Sequence, residues 1–258
     1  MDLGLTDKVA LVTGGSRGIG RGIATALAEE GCRLVLCARG EDALNETAGA
    51  LRARGAEVLA LPLDLTDAGA PARLVEAAAE RFGRLDAVVN NVGGNRRKPF
   101  AETTDDDWEA ILDLNLRAHI RTSRAAIPHL RAAGGGAILF VSSIFGREAG
   151  GPGLSIYNTT KSALISLAKI MALELAQDGI RVNSLAPGSI RFPGGSWDRR
   201  VQADPEAMEQ FVAENLPVGR FGTVEEVANV AAFLCSERAS LVTGACLNVD
   251  GGQSRSLI

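Results

Sequence analysis

Histidine and cysteine are scarce in this sequence. It has two histidines, His119 and His129, and four cysteines, Cys32, Cys37, Cys235 and Cys246, among 258 residues. The histidines stand ten apart and no two cysteines form a Cys-x-x-Cys pair, so no metal-ligand spacing exists. The thiols read as buried residues of strands and helices. Positive charge is not in excess either. A net charge of -4 leaves no basic footprint and argues against a nucleic-acid partner. No apolar run approaches the ~18–20 residues of a membrane span. The opening Met-Asp-Leu-Gly-Leu-Thr-Asp-Lys has no signal-peptide pattern, so a soluble, cytoplasmic protein is the expectation. Glycine is plentiful at 30 residues, which points to tight turns and close backbone approaches. Apolar residues make up 46% and charged residues 22%, enough for a substantial core in one α/β domain over 1–258.

Short β-rich runs alternate with helical patterns. The strands are expected at 8–13, 33–37, 57–61, 86–90, 137–142, 180–186 and 245–249. The helices are expected near 18–30, 41–54, 67–82, 105–131, 155–177, 205–214 and 223–235. Leu34-Val35-Leu36 and Ile138-Leu139-Phe140-Val141 are apolar on both faces, as a parallel sheet covered on both sides requires. The expected fold is therefore a doubly wound, Rossmann-type parallel sheet of about seven strands with right-handed crossovers. The stretch 188–204 breaks the rhythm with Pro193, Gly194, Gly195 and Trp197. With the pattern after it, it reads as a substrate-loop insertion over 188–216. The helix at 155–177 is apolar nearly all round, which suits one face on the sheet and another against a second subunit.

The first strand runs into Thr13-Gly14-Gly15-Ser16-Arg17-Gly18-Ile19-Gly20, and a helix follows at once. Glycines there permit a tight turn and a close approach of backbone N–H groups to a pyrophosphate, aided by the helix N-terminus. A carboxylate ending the second strand would bind a ribose 2′-hydroxyl and select NAD. The strand ends instead in Cys37-Ala38-Arg39-Gly40. Arg39, helped by Arg17, suits a 2′-phosphate, so NADP is expected, with NAD possible.

Tyr157 and Lys161 stand four apart at the opening of a helix, which puts phenol and ammonium on one face. An ammonium beside a phenol is expected to lower the tyrosine pKa and fit it to exchange a proton with a carbonyl or alcohol oxygen.

Assembled, these residues resemble the short-chain dehydrogenase/reductase family from Lys8 to about Gln253. The ordered motifs are Thr13-Gly-x-x-x-Gly18-x-Gly20, Asp64-Leu65, Asn90-Asn91-Val92-Gly93, Asn115, Ser142-Ser143, Tyr157-x-x-x-Lys161 and Pro187-Gly188. The segments Gly219-Arg-Phe-Gly222, Val242-Thr-Gly244 and Val249-Asp-Gly-Gly252 look like the branch of 3-oxoacyl-carrier-protein reductases and related alcohol dehydrogenases. The resemblance implies hydride transfer between a nicotinamide and a ketone or secondary alcohol, in a homotetramer. Gly14, Ser16, Arg17, Gly18, Ile19 and Gly20 would line the pyrophosphate side of the cofactor. Asp64 and Leu65 would meet the adenine, and Asn91 with Gly93 would lie near the adenosine ribose. Tyr157 would be general acid in reduction and base in reverse. Lys161 would bind the nicotinamide ribose, Ser143 would bond the substrate oxygen, and Asn115 would hold a water in a relay to Lys161. Pro187, Gly188 and Ile190 would lie by the nicotinamide.

The sequence departs from the pattern in places. Val92 replaces the usual alanine. Many members place the serine thirteen residues before the tyrosine, where Ile144 stands here; Ser143 fits if the following loop carries one extra residue. Ser142 is the fallback as a structural hydroxyl, and Ser155 lies too near Tyr157. Asp178 occupies a place where carrier-protein reductases tend to have a basic residue, which argues against the same docking of an acyl carrier. Arg96-Arg97-Lys98 beyond the fourth strand reads as a solvated loop, or as a triplet that steers an anionic substrate or holds cofactor phosphate. Phe145, Arg147, Glu148, Leu154 and Trp197 are expected to border the substrate cleft. Other readings are an NAD-dependent alcohol dehydrogenase, epimerisation or dehydration on the same scaffold, and a dinucleotide-binding regulator without turnover. The regulator would usually have lost the tyrosine or lysine.

Overall fold

Strands with two apolar faces need cover on both sides, and the chain supplies it by crossing over after each strand. The computed structural model describes residues 2–257. Its strands are β1 (Val9–Thr13), β2 (Arg33–Ala38), β3 (Val58–Pro62), β4 (Ala87–Asn90), β5 (Gly136–Val141), β6 (Ile180–Pro187) and β7 (Cys246–Val249). Between them run α1 (Gly18–Glu29), α2 (Glu41–Arg52), α3 (Ala70–Phe82), α4 (Asp105–Leu112), α5 (Ala118–Ala132), α6 (Ser155–Leu175), α7 (Ser196–Ala203), α8 (Pro205–Asn215) and α9 (Val224–Cys235). All strands pair in parallel, in the order β3-β2-β1-β4-β5-β6-β7.

Alternation along β2 sorts its side chains between two cores. Leu34 and Leu36 join a core with Ile23 and Leu27 of α1, Leu44 of α2 and Val227 of α9. Val35 and Cys37 face the other way, into a core with Leu74 of α3, Leu130 of α5 and Leu164 of α6. In register, Leu11 of β1 lies between Val35 of β2 and Val88 of β4. The strand order reverses between β1 and β4. Chain leaving their carboxyl ends departs to opposite faces and opens a crevice there, where open α/β sheets bind ligands. Thr13 and Asn90 end these two strands and so mark its floor.

Two local departures from the expected elements matter for the site. The helix expected over 105–131 is not continuous: a π-helical turn, Asp113–Arg117, separates α4 from α5. The irregular stretch expected at 188–204 contains α7, which packs against α8. Trp197 is the anchor of that pair, stacked on Phe211 at 4.7 Å and tilted against Phe221 at 5.3 Å between ring centroids. Among the described residues, no helix is long and apolar enough to cross a membrane, and no cluster of potential metal ligands exists.

Candidate active site

The turn after β1 forms one wall of a groove of about 770 Å³ in the crevice. Gly14 has φ of +68°, a left-handed conformation, and a β-carbon there would lie 2.8 Å from Asn91 Nδ2. Gly20 is needed for proximity: a β-carbon on it would sit 2.2 Å from the Gly14 carbonyl oxygen. Bare backbone and the start of α1 therefore face the groove, as an anionic pyrophosphate needs. Ser16, Arg17, Gly18 and Ile19 line the same wall. Asn91 holds the turn in place. Its Nδ2 donates to the Thr13 and Gly14 carbonyls at 2.9 and 3.2 Å, and its N–H donates to Thr13 Oγ1 at 2.9 Å.

Arg39, Asp64 and Leu65 line the far end of the groove. No carboxylate ends β2, and Arg39 is exposed. Its guanidinium lies 3.9 Å from Asp64, too long for a hydrogen-bonded pair. Burial works to raise the Asp64 pKa, but hydrogen bonds from Thr66, with Arg39 nearby, bring it below the ordinary value. A dinucleotide fits this chain: a glycine floor that a β-carbon would close and cations along the groove, with a polar cluster at the neighbouring cleft.

That cluster forms where β5 and α6 meet. Tyr157 is the only tyrosine in the chain and lies half-buried at a second cleft of about 760 Å³. Its side chain is hydrogen-bonded to Ser143, which also accepts the Phe145 N–H at 3.2 Å. Ser142 faces the other way and donates to the Lys161 carbonyl at 2.8 Å, a bond that ties β5 to α6. Ser155 Oγ is buried with no hydrogen-bond partner. Of the three serines, Ser143 alone meets the phenol.

The tyrosine–lysine pair has a different electrostatic balance from the expected one. Burial raises the Tyr157 pKa, and the Ser143 bond offsets only part of this. Lys161 does not counter it, because its Nζ donates to the Val141 carbonyl at 2.8 Å and sits 5.8 Å from the phenol ring centre. Burial also brings the lysine down to about 8. Asn115 belongs to the π turn and is fully buried. Its Nδ2 donates to the Gly94 carbonyl at 2.9 Å and to Thr160 Oγ1 at 3.1 Å, while its Oδ1 accepts the Gly94 N–H at 2.8 Å. The side chain is thus committed to positioning Gly94 and Thr160. Gly93 lies between the two halves: a β-carbon on it would be 3.4 Å from Asn115 Oδ1 and 3.5 Å from Lys161 Nζ.

Residues after β6 divide. Pro187 is its last residue, and Gly188 faces the second cleft, packed against Asp250 and Gln253. Ile190 is buried in the core beneath Gly222, so its side chain turns away from the groove. Phe145, Glu148, Leu154 and Trp197 line the cleft as expected. Arg147 does not; it donates to the Cys246 carbonyl at 2.8 Å and to Asn248 Oδ1 at 3.0 Å. The basic triplet also splits. Arg96 and Lys98 both bind buried Asp107, at 2.7 and 2.9 Å, and only Arg97 lines the cleft. Asp178 pairs with Arg131 at 2.7 Å.

Several supporting residues carry no sequence signal of their own. His119 donates through Nε2 to the Val92 carbonyl at 2.7 Å and stacks on Phe140. Burial, then the Lys161 charge, holds it neutral with a pKa near 3. Phe192 lies against Gly18 at the groove's edge, and Gln253 Oε1 accepts the Ser189 N–H at 2.8 Å. Each depends on a contact between residues more than 20 apart in the sequence.

Comparison with known proteins agrees with this geometry. The family model described as enoyl-(acyl carrier protein) reductase matches residues 14–254. The oxidoreductase UcpA of Escherichia coli K12 is 36% identical over 252 residues, covering 97% of this chain and 95% of that protein. L-sorbose reductase from Gluconobacter frateurii, solved with NADPH and L-sorbose, superposes with a TM-score of 0.94 at 37% identity over the whole of both chains. A 7α-hydroxysteroid dehydrogenase, solved with NADH and 7-oxo glycochenodeoxycholic acid, gives 0.91 at 32% identity over 100% of this chain and 98% of that one. With its reversed strand order, glycine turn and Ser–Tyr–Lys cluster, the chain belongs to the short-chain dehydrogenase/reductase family and is an oxidoreductase of it.

Proposed function

We propose that the protein is an NADP(H)-dependent carbonyl reductase or secondary alcohol dehydrogenase in which Tyr157 exchanges the proton. The observation that carries this reading is the hydrogen-bonded Ser143–Tyr157 pair at the mouth of the second cleft, beside buried Lys161. The nicotinamide cofactor, when bound, supplies or accepts the hydride. Every other part belongs to the chain. A phenol raised by burial stays protonated at neutral pH, which suits a general acid. Ser143 orients the carbonyl oxygen and supports charge developing on it. Lys161, with a pKa brought to about 8, is a proton carrier near neutrality and a donor to ribose hydroxyls. Asn115 acts through Gly94 and Thr160; a relay at this residue runs on its main chain in the π turn, since its side chain is bonded already.

The NADP preference rests on Arg39 and on the missing carboxylate after β2. Neighbouring folds do not decide it, since one was solved with NADPH and another with NADH. Those two also act on chemically unlike ketones, a sugar and a steroid, so substrate identity does not follow from family. Self-association rests on α6, whose outer face leaves Ile170 51% and Leu173 67% exposed, and a homotetramer is the proposed form. The test of the reaction is NADPH oxidation with a ketone panel. Tyr157→Phe binds NADPH as the wild type does and loses about 10²–10⁴ in kcat; near-normal turnover refutes the proton-donor role.

A further inference from the structure

Cations at the second cleft are left without carboxylate partners, whereas those just outside it are neutralised. Arg96 and Lys98 share buried Asp107, and Arg191 pairs with buried Asp198 at 3.1 Å. Arg97, Arg200 and Arg255 line the cleft, and none of the three has an ion pair among the described residues. One acid, Glu148, lines the same cleft. It is occupied by the C-terminal segment, accepting Ser254 Oγ at 3.0 Å and the Arg255 N–H at 2.9 Å. Three guanidinium groups thus face one carboxylate in a protein whose net charge is -4. Such a concave surface, where positive charge outnumbers negative, focuses potential and favours an anion.

Two of these guanidinium groups are also held, and the third sits on an anchored backbone. Arg97 Nε donates to the Pro152 carbonyl at 3.1 Å, which fixes its stem and leaves its terminal nitrogens. The Arg200 guanidinium lies 4.8 Å from the centre of the Trp197 ring, a cation–π contact that leaves its N–H edges open. Arg255 is anchored through its backbone to Glu148. Planar donors held this way match the planar acceptor pair of a carboxylate. Phe145, Leu154 and Trp197 line the same cleft as these arginines and Tyr157, which suits an apolar or aromatic body.

We propose that the natural substrate is an anionic carbonyl compound, a keto acid with an apolar body, whose carboxylate is bound by Arg97, Arg200 and Arg255 while its ketone meets Tyr157. This rests on the reductase reading for the reacting end of the cleft; the anion subsite does not. The test uses aryl keto acids with zero to three methylenes between ketone and carboxylate, each beside its methyl ester, and the full protein with NADPH bound. Calorimetry reads affinity and NADPH oxidation reads turnover. At least one acid binds about tenfold or more tighter than its ester, and added salt weakens the acid alone. In the triple variant Arg97→Gln, Arg200→Gln, Arg255→Gln the acid-to-ester ratio falls at least about tenfold, an internal comparison that a general loss of structure does not imitate. Equal affinity for acid and ester, no detectable acid binding, or a ratio unchanged in the triple variant overturns the subsite. Tight acid binding with no NADPH oxidation by any compound overturns the reductase reading and leaves the subsite standing.

Discussion

The proposed chemistry turns on two single side chains, Arg39 and Ser143. Arg39 is exposed at the end of β2, held only by a 3.9 Å approach to Asp64. It is free to meet a 2′-phosphate, and an aspartate there would repel one. Arg39→Asp is therefore expected to move the NADPH-to-NADH ratio of kcat/KM toward NADH by at least about tenfold. Steady-state rates with both cofactors check this, and an unchanged ratio assigns the selection elsewhere. Tyr157 and Lys161 were legible as a pair because four residues make one helical turn. Their electrostatics were not. The lysine's ammonium bonds the Val141 carbonyl, and burial governs both pKa values, raising the phenol and lowering the amine. Which serine serves the tyrosine was also undecided by spacing, since only the turn of the chain after β5 sends Ser143 one way and Ser142 the other.

Elements were the most legible scale, and their exceptions are instructive. Strands and helices follow the apolar pattern closely because burial on both faces leaves few alternatives. Periodicity extends without a break through the π turn at Asp113–Arg117, so one helix was expected where two stand. A single extra residue in a turn leaves the apolar rhythm nearly intact, yet it sets Asn115 against Gly94. Helix α6 is the opposite case. Its apolar pattern exceeds what the sheet can cover, and Ile170 and Leu173, three apart, share the uncovered face. Leu173→Glu is expected to shift the assembly toward smaller species by light scattering, with the circular dichroism spectrum unchanged. A wild-type protein that is already monomeric at micromolar concentration removes the interface from this face.

At the scale of the molecule, stability is expected to depend on buried thiols. Burial raises Cys32, Cys37 and Cys235 to about 12, with charge between Cys32 and Cys235 adding to the first. The folded chain keeps these protons at a pH where the unfolded chain, with thiol pKa near 8.5, releases them. The unfolded state therefore binds fewer protons above that value, and stability falls as pH rises from about 8.5 toward 12. Below about 8.5 the contribution is fully present. Urea midpoints in reducing buffer are expected to decline over this range, and Cys37→Ala to flatten the decline. An alkaline limb unaltered by the substitution assigns it to other groups. The same whole-molecule view explains the cleft's charge. A net charge of -4 says nothing of where cations gather, and only folding removes Arg96 and Lys98 to Asp107 while Arg97 remains at the cleft.

By itself, the sequence determined the doubly wound sheet, the glycine turn and the Tyr157–Lys161 face, because each follows from local geometry or from a short repeat of apolar residues. The tertiary structure decided what depends on distance in the chain: Ser143 over Ser142, the inward commitment of Asn91 and Asn115, and the arginines at the second cleft. Hydrogen bonds and charge act across a few ångströms of space. No spacing along the chain encodes which groups the crossovers will bring that close.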